Sequence, residues 1–433
     1  MVSPIKKINK FDFLLLIAIV LEILFSVYAK KFFDQPVNAF GFFFSSLLFG
    51  VILLLKFYNK DAVLSVRIKE AKRKNWLSLI MVLLSLIAIA FISRSNIALF
   101  LRVPVGPETS DVIPTVAELC QRYLKGSFVY EPIEKFGYHL PVTYLPMQWM
   151  PYLIAEKGGF DYRWIAIGIW IIAAVVLLIR SFRSQNVMVR FFAPVLLVMS
   201  YFYICYYNDS IVANVIEMMV SGYYILLIVS LNTKNAVFRG LIIGICLLSR
   251  YSLLLWLPLA ILVIFLSENR KHFWTTALTV FLFICILYVI PFLSKDWSIF
   301  YKGYKHYDIS ALGEWKHLNI YTNKPFHLYS GHGIAFWFYE RKGFPIEMRL
   351  KYLQKAHLFL CLGATAIMGI WYWFKRTKIN DKIFLMGSFK IYLAIFLFFI
   401  QVPYLYLMIV GLFVSIAIFF EQGRYLIIRK ADS

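Results

Sequence analysis

Charge is scarce in this chain. Only 16% of its 433 residues are Asp, Glu, Lys or Arg, against about a quarter in an ordinary soluble domain. Acidic residues are scarcer still: 23 stand against 45 Lys and Arg, a formal net charge of +22. Alternation of apolar and polar residues is missing, which excludes a membrane β-barrel. Of the five cysteines, Cys205, Cys246, Cys285 and Cys361 fall inside apolar runs and Cys120 stands apart. Neither a disulfide framework nor a metal-ligand spacing is visible. No repeat of solenoid period occurs, and no matched pair of halves of the kind transporters show.

What remains is apolar: 61% hydrophobic and 18% aromatic residues, in long runs from end to end. That composition places the chain among all-α, polytopic membrane proteins. Twelve spans are predicted, at 11–28, 40–57, 76–93, 162–180, 191–207, 211–231, 237–250, 252–267, 273–293, 355–374, 384–400 and 404–420. The pair 237–250 and 252–267 is short, with Arg250 at its junction, and reads as a broken hairpin. The basic head and apolar stretch at the N-terminus resemble a signal peptide. Glu22 interrupts the run and no small-residue cleavage pattern follows, so a retained first helix is expected.

On a soluble protein an excess of +22 suggests nucleic acid. Here much of it sits in short loops: the head (Lys6, Lys7, Lys10), 56–75, 180–190, 234–239, 270–271, 375–382 and 424–430. Orientation in the membrane explains it better, with these loops and both termini cytoplasmic and no nucleic-acid partner. The two long polar stretches, 94–161 and 294–354, then fall together on the outer face. Five regions follow: N-terminal helices 1–93, outer loop 94–161, transmembrane core 162–293, second outer loop 294–354, and C-terminal helices with a basic tail 355–433.

The stretch 141–155 decides the sidedness. If it crossed, every later basic loop would move outside. Prolines 141, 146 and 151 break any long helix, and its length of about 22 Å as a helix is too short to span. It is expected to lie in the membrane plane, with Tyr144, Trp149 and Tyr152 in the headgroup zone.

Several residues carry candidate chemistry. Asp111, in Glu108-Thr109-Ser110-Asp111, is a carboxylate able to take a proton from an incoming hydroxyl. Its local alternative is a helix cap by Ser110 or Asp111, or a capping box of Thr115 and Glu118. Arg250, among apolar residues, is either a phosphate ligand or a snorkelling side chain. Glu217 is its candidate partner, and Glu22 a lesser intramembrane candidate. Asn208-Asp209-Ser210 reads as a turn. In the second polar stretch, Lys302, Lys305 and His306 are candidates for a diphosphate or lipid headgroup. His332, between two glycines, is expected to be the most exposed histidine. Arg122, Tyr130, His139 and Tyr144 are candidates for substrate contact in the first stretch.

Ser110-Asp111, then Gly126-Ser127-Phe128-Val129-Tyr130, Tyr144-Leu145-Pro146 and Pro151 resemble the first outer loop of the GT-C superfamily of polytopic glycosyltransferases. The likeness is nearest to the polyprenol-phosphate-mannose-dependent mannosyltransferases of glycosyltransferase family 87. Residues 208–258 are similar to that family's helix, small basic loop and glycine-rich short helix, with Arg250 where a lysine is usual. The resemblance implies a GT-C-like fold with in-plane helices on the outer face, and a catalytic carboxylate at Asp111. It further implies a polyprenyl-phosphate sugar donor, a glycan or glycolipid acceptor and membrane lipid as partners; no cofactor is expected, and a metal requirement stays open. The location expected is a bacterial plasma membrane, with the active site outside. Two other classes stay open: an O-antigen-type polymerase or ligase centred on 294–354, and a lipid or glycan transporter that makes no bond.

Overall fold

A computed structural model describes residues 10–28, 34–58, 65–67, 76–182, 184 and 186–427. Many of the expected basic-loop residues, among them Lys6, Lys7, Lys60, Lys69, Lys72, Arg73, Lys74, Arg183, Arg429 and Lys430, lie outside the described residues. The described chain is helical apart from connections and one antiparallel strand pair, Ser65–Arg67 against Tyr425–Ile427.

Each predicted span is helical over most of its length. Among the described residues, seven helices are long and apolar enough to cross a membrane: Gln35–Phe57, Trp76–Arg102, Arg163–Phe182, Val187–Tyr207, Arg270–Leu293, Ile346–Lys378 and Leu405–Gln422. Glu217–Leu231, Ala236–Leu247 and Leu257–Ser267 are apolar but shorter; at 1.5 Å per residue they reach only about 17 to 23 Å. The predicted span 211–231 is broken. Asp209–Asn214 and Glu217–Leu231 are separate helices, with Val215 extended between them (φ −135°, ψ 172°). No proline or glycine causes this break. Tertiary partners hold it open, since the Asn214 carbonyl accepts from the Ser110 hydroxyl at 3.0 Å.

Glu217–Leu231 lies at the centre, packed on Arg163–Phe182 and Leu405–Gln422. It is apolar all round because it is covered all round. Gly222 favours that packing: a Cβ there would stand 3.1 Å from the backbone of Ile169 and Trp170, so the helices would have to move apart slightly to admit one. A buried ion pair fastens the first two helices to this core. The Lys390 ammonium stands 2.8 Å from the Glu22 carboxylate, which also accepts from Ser46 at 2.7 Å and Ser415 at 3.0 Å.

The bundle has two chemically distinct ends. Arg163 and Arg180 mark them, about 26 Å apart along one helix. At the Arg180 end, Arg180 pairs with Glu421 at 2.6 Å, Lys56 with Asp12 at 2.5 Å, and Asn186 reaches Asp12 at 3.1 Å. Several of the basic loops therefore gather there. At the other end Arg163 donates to the carbonyls of Phe100 (3.0 Å) and Val103 (2.7 Å). The two long polar stretches face each other across shared cavities, the common placement that the charge pattern implies.

The stretch 141–155 is no single helix. After an extended 141–145 come Pro146–Trp149, a 3₁₀ turn Met150–Tyr152 and Leu153–Gly158. Its aromatics correct the expectation of a headgroup seat. Trp149 and Tyr152 are fully buried, because the element is clamped between Val112–Leu124 and the central helices. The Cys120 thiol donates to the Trp149 carbonyl at 3.4 Å, and the Tyr223 hydroxyl to the Met147 carbonyl at 3.3 Å.

Candidate functional site

The Val112–Leu124 helix begins at Asp111 after a turn in which Thr109 and Ser110 both donate to the Gly106 carbonyl at 3.2 Å. Ser110 performs the local capping: its hydroxyl accepts from the Val112 N–H at 3.3 Å while holding Asn214. The Asp111 side chain makes no cap bond. The capping-box alternative also fails. Thr115 lies a turn inside the helix, and Glu118 is clasped by Arg122 at 2.8 Å and by Lys135. Asp111 is thus left half-buried, accepting from the Tyr138 hydroxyl at 2.9 Å. Burial, and then that bond and charge, push the Tyr138 phenol up to about 12.

Asp111 lines a cavity of about 150 Å³, with Thr115 and Tyr144 on one wall and His306, Tyr307, Ser310 and Tyr404 on the other. This cavity shares Tyr307, Val402 and Tyr404 with a second, about 230 Å³, which holds Arg250, Ser252, His357 and Gln401. It shares Pro141, Val142 and His306 with a third, about 680 Å³, lined by Tyr130, His139, Lys302 and Lys305. Three adjoining hollows therefore run from Arg250 past Asp111 to the lysines. Tyr144 registers both charges. Burial raises its phenol most, the Asp111 carboxylate raises it further, and the Arg250 guanidinium opposes them.

Arg250 stands where the chain leaves Ala236–Leu247 and turns extended (φ −152°, ψ 141°) before the short turn Tyr251–Leu253. Leu257–Ser267 returns from there, so the broken hairpin is formed. Its guanidinium pairs with the Glu217 carboxylate, as the sequence had them matched. The Glu217 side chain is 1% exposed and that of Arg250 is 31% exposed. A fork tied at one edge can still offer N–H groups to the cavity it lines.

Tyr130 packs its ring against Phe292 at 5.3 Å, and burial raises its phenol well above the usual range. His139 bonds Glu134 at 2.5 Å. Lys302 pairs with Asp296 at 2.9 Å. The Asp296 carboxyl is drawn down to about 2, first by the Ser298 hydroxyl and then by Lys302. His306 hydrogen-bonds with Ser310 at 2.9 Å, and burial, followed by the nearby His139, lowers its pKa.

Two sequence candidates belong elsewhere. Arg122 lines none of these hollows; it holds Glu118 and the carbonyls of Val129 (3.4 Å), Pro132 (3.0 Å) and Glu131, stapling the loop after its own helix. His332 is not exposed but 8% accessible, with Nε2 donating to the Phe25 carbonyl at 2.8 Å and its ring against Phe42. Its glycine neighbours signal close approach rather than exposure. A Cβ on Gly331 or Gly333 would collide with Pro403. Asp209 faces Arg102 at 3.2 Å on the surface; the expected turn is reduced to Asn208, after which Asp209 and Ser210 open the short helix Asp209–Asn214. Sequence reading missed Tyr138, Tyr307 and Tyr404. Tyr138 has a local signal, lying between Gly137 and His139; Tyr404 sits in an apolar run that ranks it with its neighbours.

Compared with known proteins, the chain matches no family model, no curated protein and no solved structure.

Proposed function

We propose that this membrane protein is a glycosyltransferase that moves a mannose-like hexose or a pentose from a polyprenyl-phosphate donor to a glycan or lipid acceptor. One observation carries the reading: a half-buried carboxylate and an arginine open into adjoining hollows with common walls of Tyr307, Val402 and Tyr404. In this proposal Asp111 takes the proton of the acceptor hydroxyl as its oxygen attacks the anomeric carbon. The bond from that carbon to the phosphate oxygen breaks, and the polyprenyl phosphate leaves as an anion, so no general acid is needed. Arg250 balances its charge. The logic parallels the single activating base of an inverting glycosidase. The acceptor enters by the larger hollow between Tyr130, His139 and Lys305. The GT-C-like fold, twelve crossings, a bacterial plasma membrane and an outward-facing site belong to the same proposal.

A second reading, a polymerase or ligase of the O-antigen type, draws on the lysines and His306 around the hollow of about 680 Å³. Both are tested by transfer from a synthetic polyprenyl-phosphate sugar with purified protein. Asp111→Asn is expected to lower kcat by about 10²- to 10⁴-fold, the range for a general base, with KM for donor little changed. Equal rates refute Asp111 as base. Loss on Lys305→Ala and His306→Gln with Asp111→Asn fully active favours the second reading.

A further inference from the structure

The second polar stretch, expected to be an outer loop, contains an 18-residue helix, Ile299–Lys316. Its inner side closes the candidate site: His306, Tyr307, Ser310 and Ala311 wall the Asp111 hollow, and Lys302 and Lys305 line the wider hollow that adjoins it. Its start presents something different outward. Trp297, Phe300, Tyr301 and Tyr304 are 68%, 51%, 67% and 68% exposed. The spacing i, i+3, i+4, i+7 puts the last three on one helical face, with Trp297 leading into it.

The row continues another. Arg270–Leu293, the crossing helix just before it, exposes Trp274, Leu278, Phe281, Leu282, Ile286 and Ile290 on its outward side. Only Ser294–Ser298 separates the two. From Leu278 to Tyr304 along the chain the exposed residues change from aliphatic and Phe to Trp and Tyr, the order met on passing from hydrocarbon to headgroups. Lys295 and Lys305 are exposed beside the aromatic row, which suits anionic headgroups; Lys302 lies on the opposite side of the helix, paired with Asp296.

We infer that the Ile299–Lys316 helix is seated by Trp297, Phe300, Tyr301 and Tyr304 in the headgroup layer of an anionic bilayer. The bilayer surface thereby holds one wall of the Asp111 hollow in place. This surface assignment does not depend on what reaction the hollow performs.

The test uses the full chain with Cys285→Ser, since the other four cysteines are buried. Tyr301→Cys, Tyr304→Cys and, as a water-facing reference, Ile320→Cys (86% exposed) are nitroxide-labelled one at a time. Each is reconstituted into phosphatidylcholine vesicles with and without phosphatidylglycerol. Collisional access to oxygen and to a water-soluble nickel chelate is then read. The labels at 301 and 304 are expected to meet oxygen and be shielded from nickel, with the reverse at 320. Phosphatidylglycerol is expected to deepen the shielding. Free access of nickel at 301 and 304 overturns the inference. Exclusion of both reagents also overturns it, by showing a second copy or another protein on that face. Equal shielding in the two vesicle types overturns the choice of an anionic surface.

Discussion

Replacing Arg250 by alanine perturbs two things, and the structure says how to separate them. The guanidinium pairs with a Glu217 carboxylate that is 1% exposed. Removing it strands that charge among the central helices. Breaking a buried pair costs about 3–5 kcal/mol; because Arg250 keeps about a third of its side-chain exposure, we expect the lower end, about 3 kcal/mol. Neutralising the stranded partner as well, in Arg250→Ala/Glu217→Gln, leaves a buried amide, whose imperfect hydrogen bonding costs about 1–2 kcal/mol. The double variant is therefore expected to be more stable than the single one by about 1–2 kcal/mol. Reversible unfolding in mixed detergent micelles measures this. Donor binding should respond differently under the proposed function: both variants lack the arginine proposed to hold the donor phosphate, so both are expected to raise KM for a polyprenyl-phosphate sugar alike. A double variant no more stable than Arg250→Ala refutes the stranded-charge reasoning. Recovery of normal KM in the double variant refutes Arg250 as a donor ligand.

The Glu22–Lys390 pair, with both side chains at most 1% exposed, should behave in the same way. Lys390→Met alone is expected to cost about 3–5 kcal/mol, whereas Glu22→Gln/Lys390→Met recovers much of it; a double variant as unstable as the sum of the singles counts against the pair. For pH, burial holds the folded-state pKa of His306 below 6.5, so the fold favours the neutral ring. Its contribution is intact above the unfolded value and shrinks as pH falls through about 6.5 toward the lowered folded value. His327, also lowered by burial, has the same sign. His306→Gln should therefore flatten part, not all, of the stability loss between about pH 7 and pH 5. An unchanged slope in thermal unfolding shows that His306 does not contribute.

The chain's own order of residues determined where the apolar helices form, and several of the described basic loops gather at one end of the bundle as their charge implied. Apolar run length needs no partner to be read, and the lysines and arginines of short loops mark an end because moving them through lipid is prohibitive. The pairing of Arg250 with Glu217 was legible too, since a buried charge requires an opposite one. Asp111 was legible as a candidate, though not as a group free of capping duty. That depended on Ser110 finding Asn214, a residue about a hundred positions away.

Tertiary structure alone decided the rest. It buried Trp149 and Tyr152, whose type suits an interface, because helices on both sides close over them. It turned the glycines around His332 into points of backbone contact with Pro403. It broke 211–231 where no residue type marks a break. It placed Tyr138, Tyr307 and Tyr404 around Asp111, from three separate segments, and a hollow made by distant segments leaves no periodicity or spacing in any one of them.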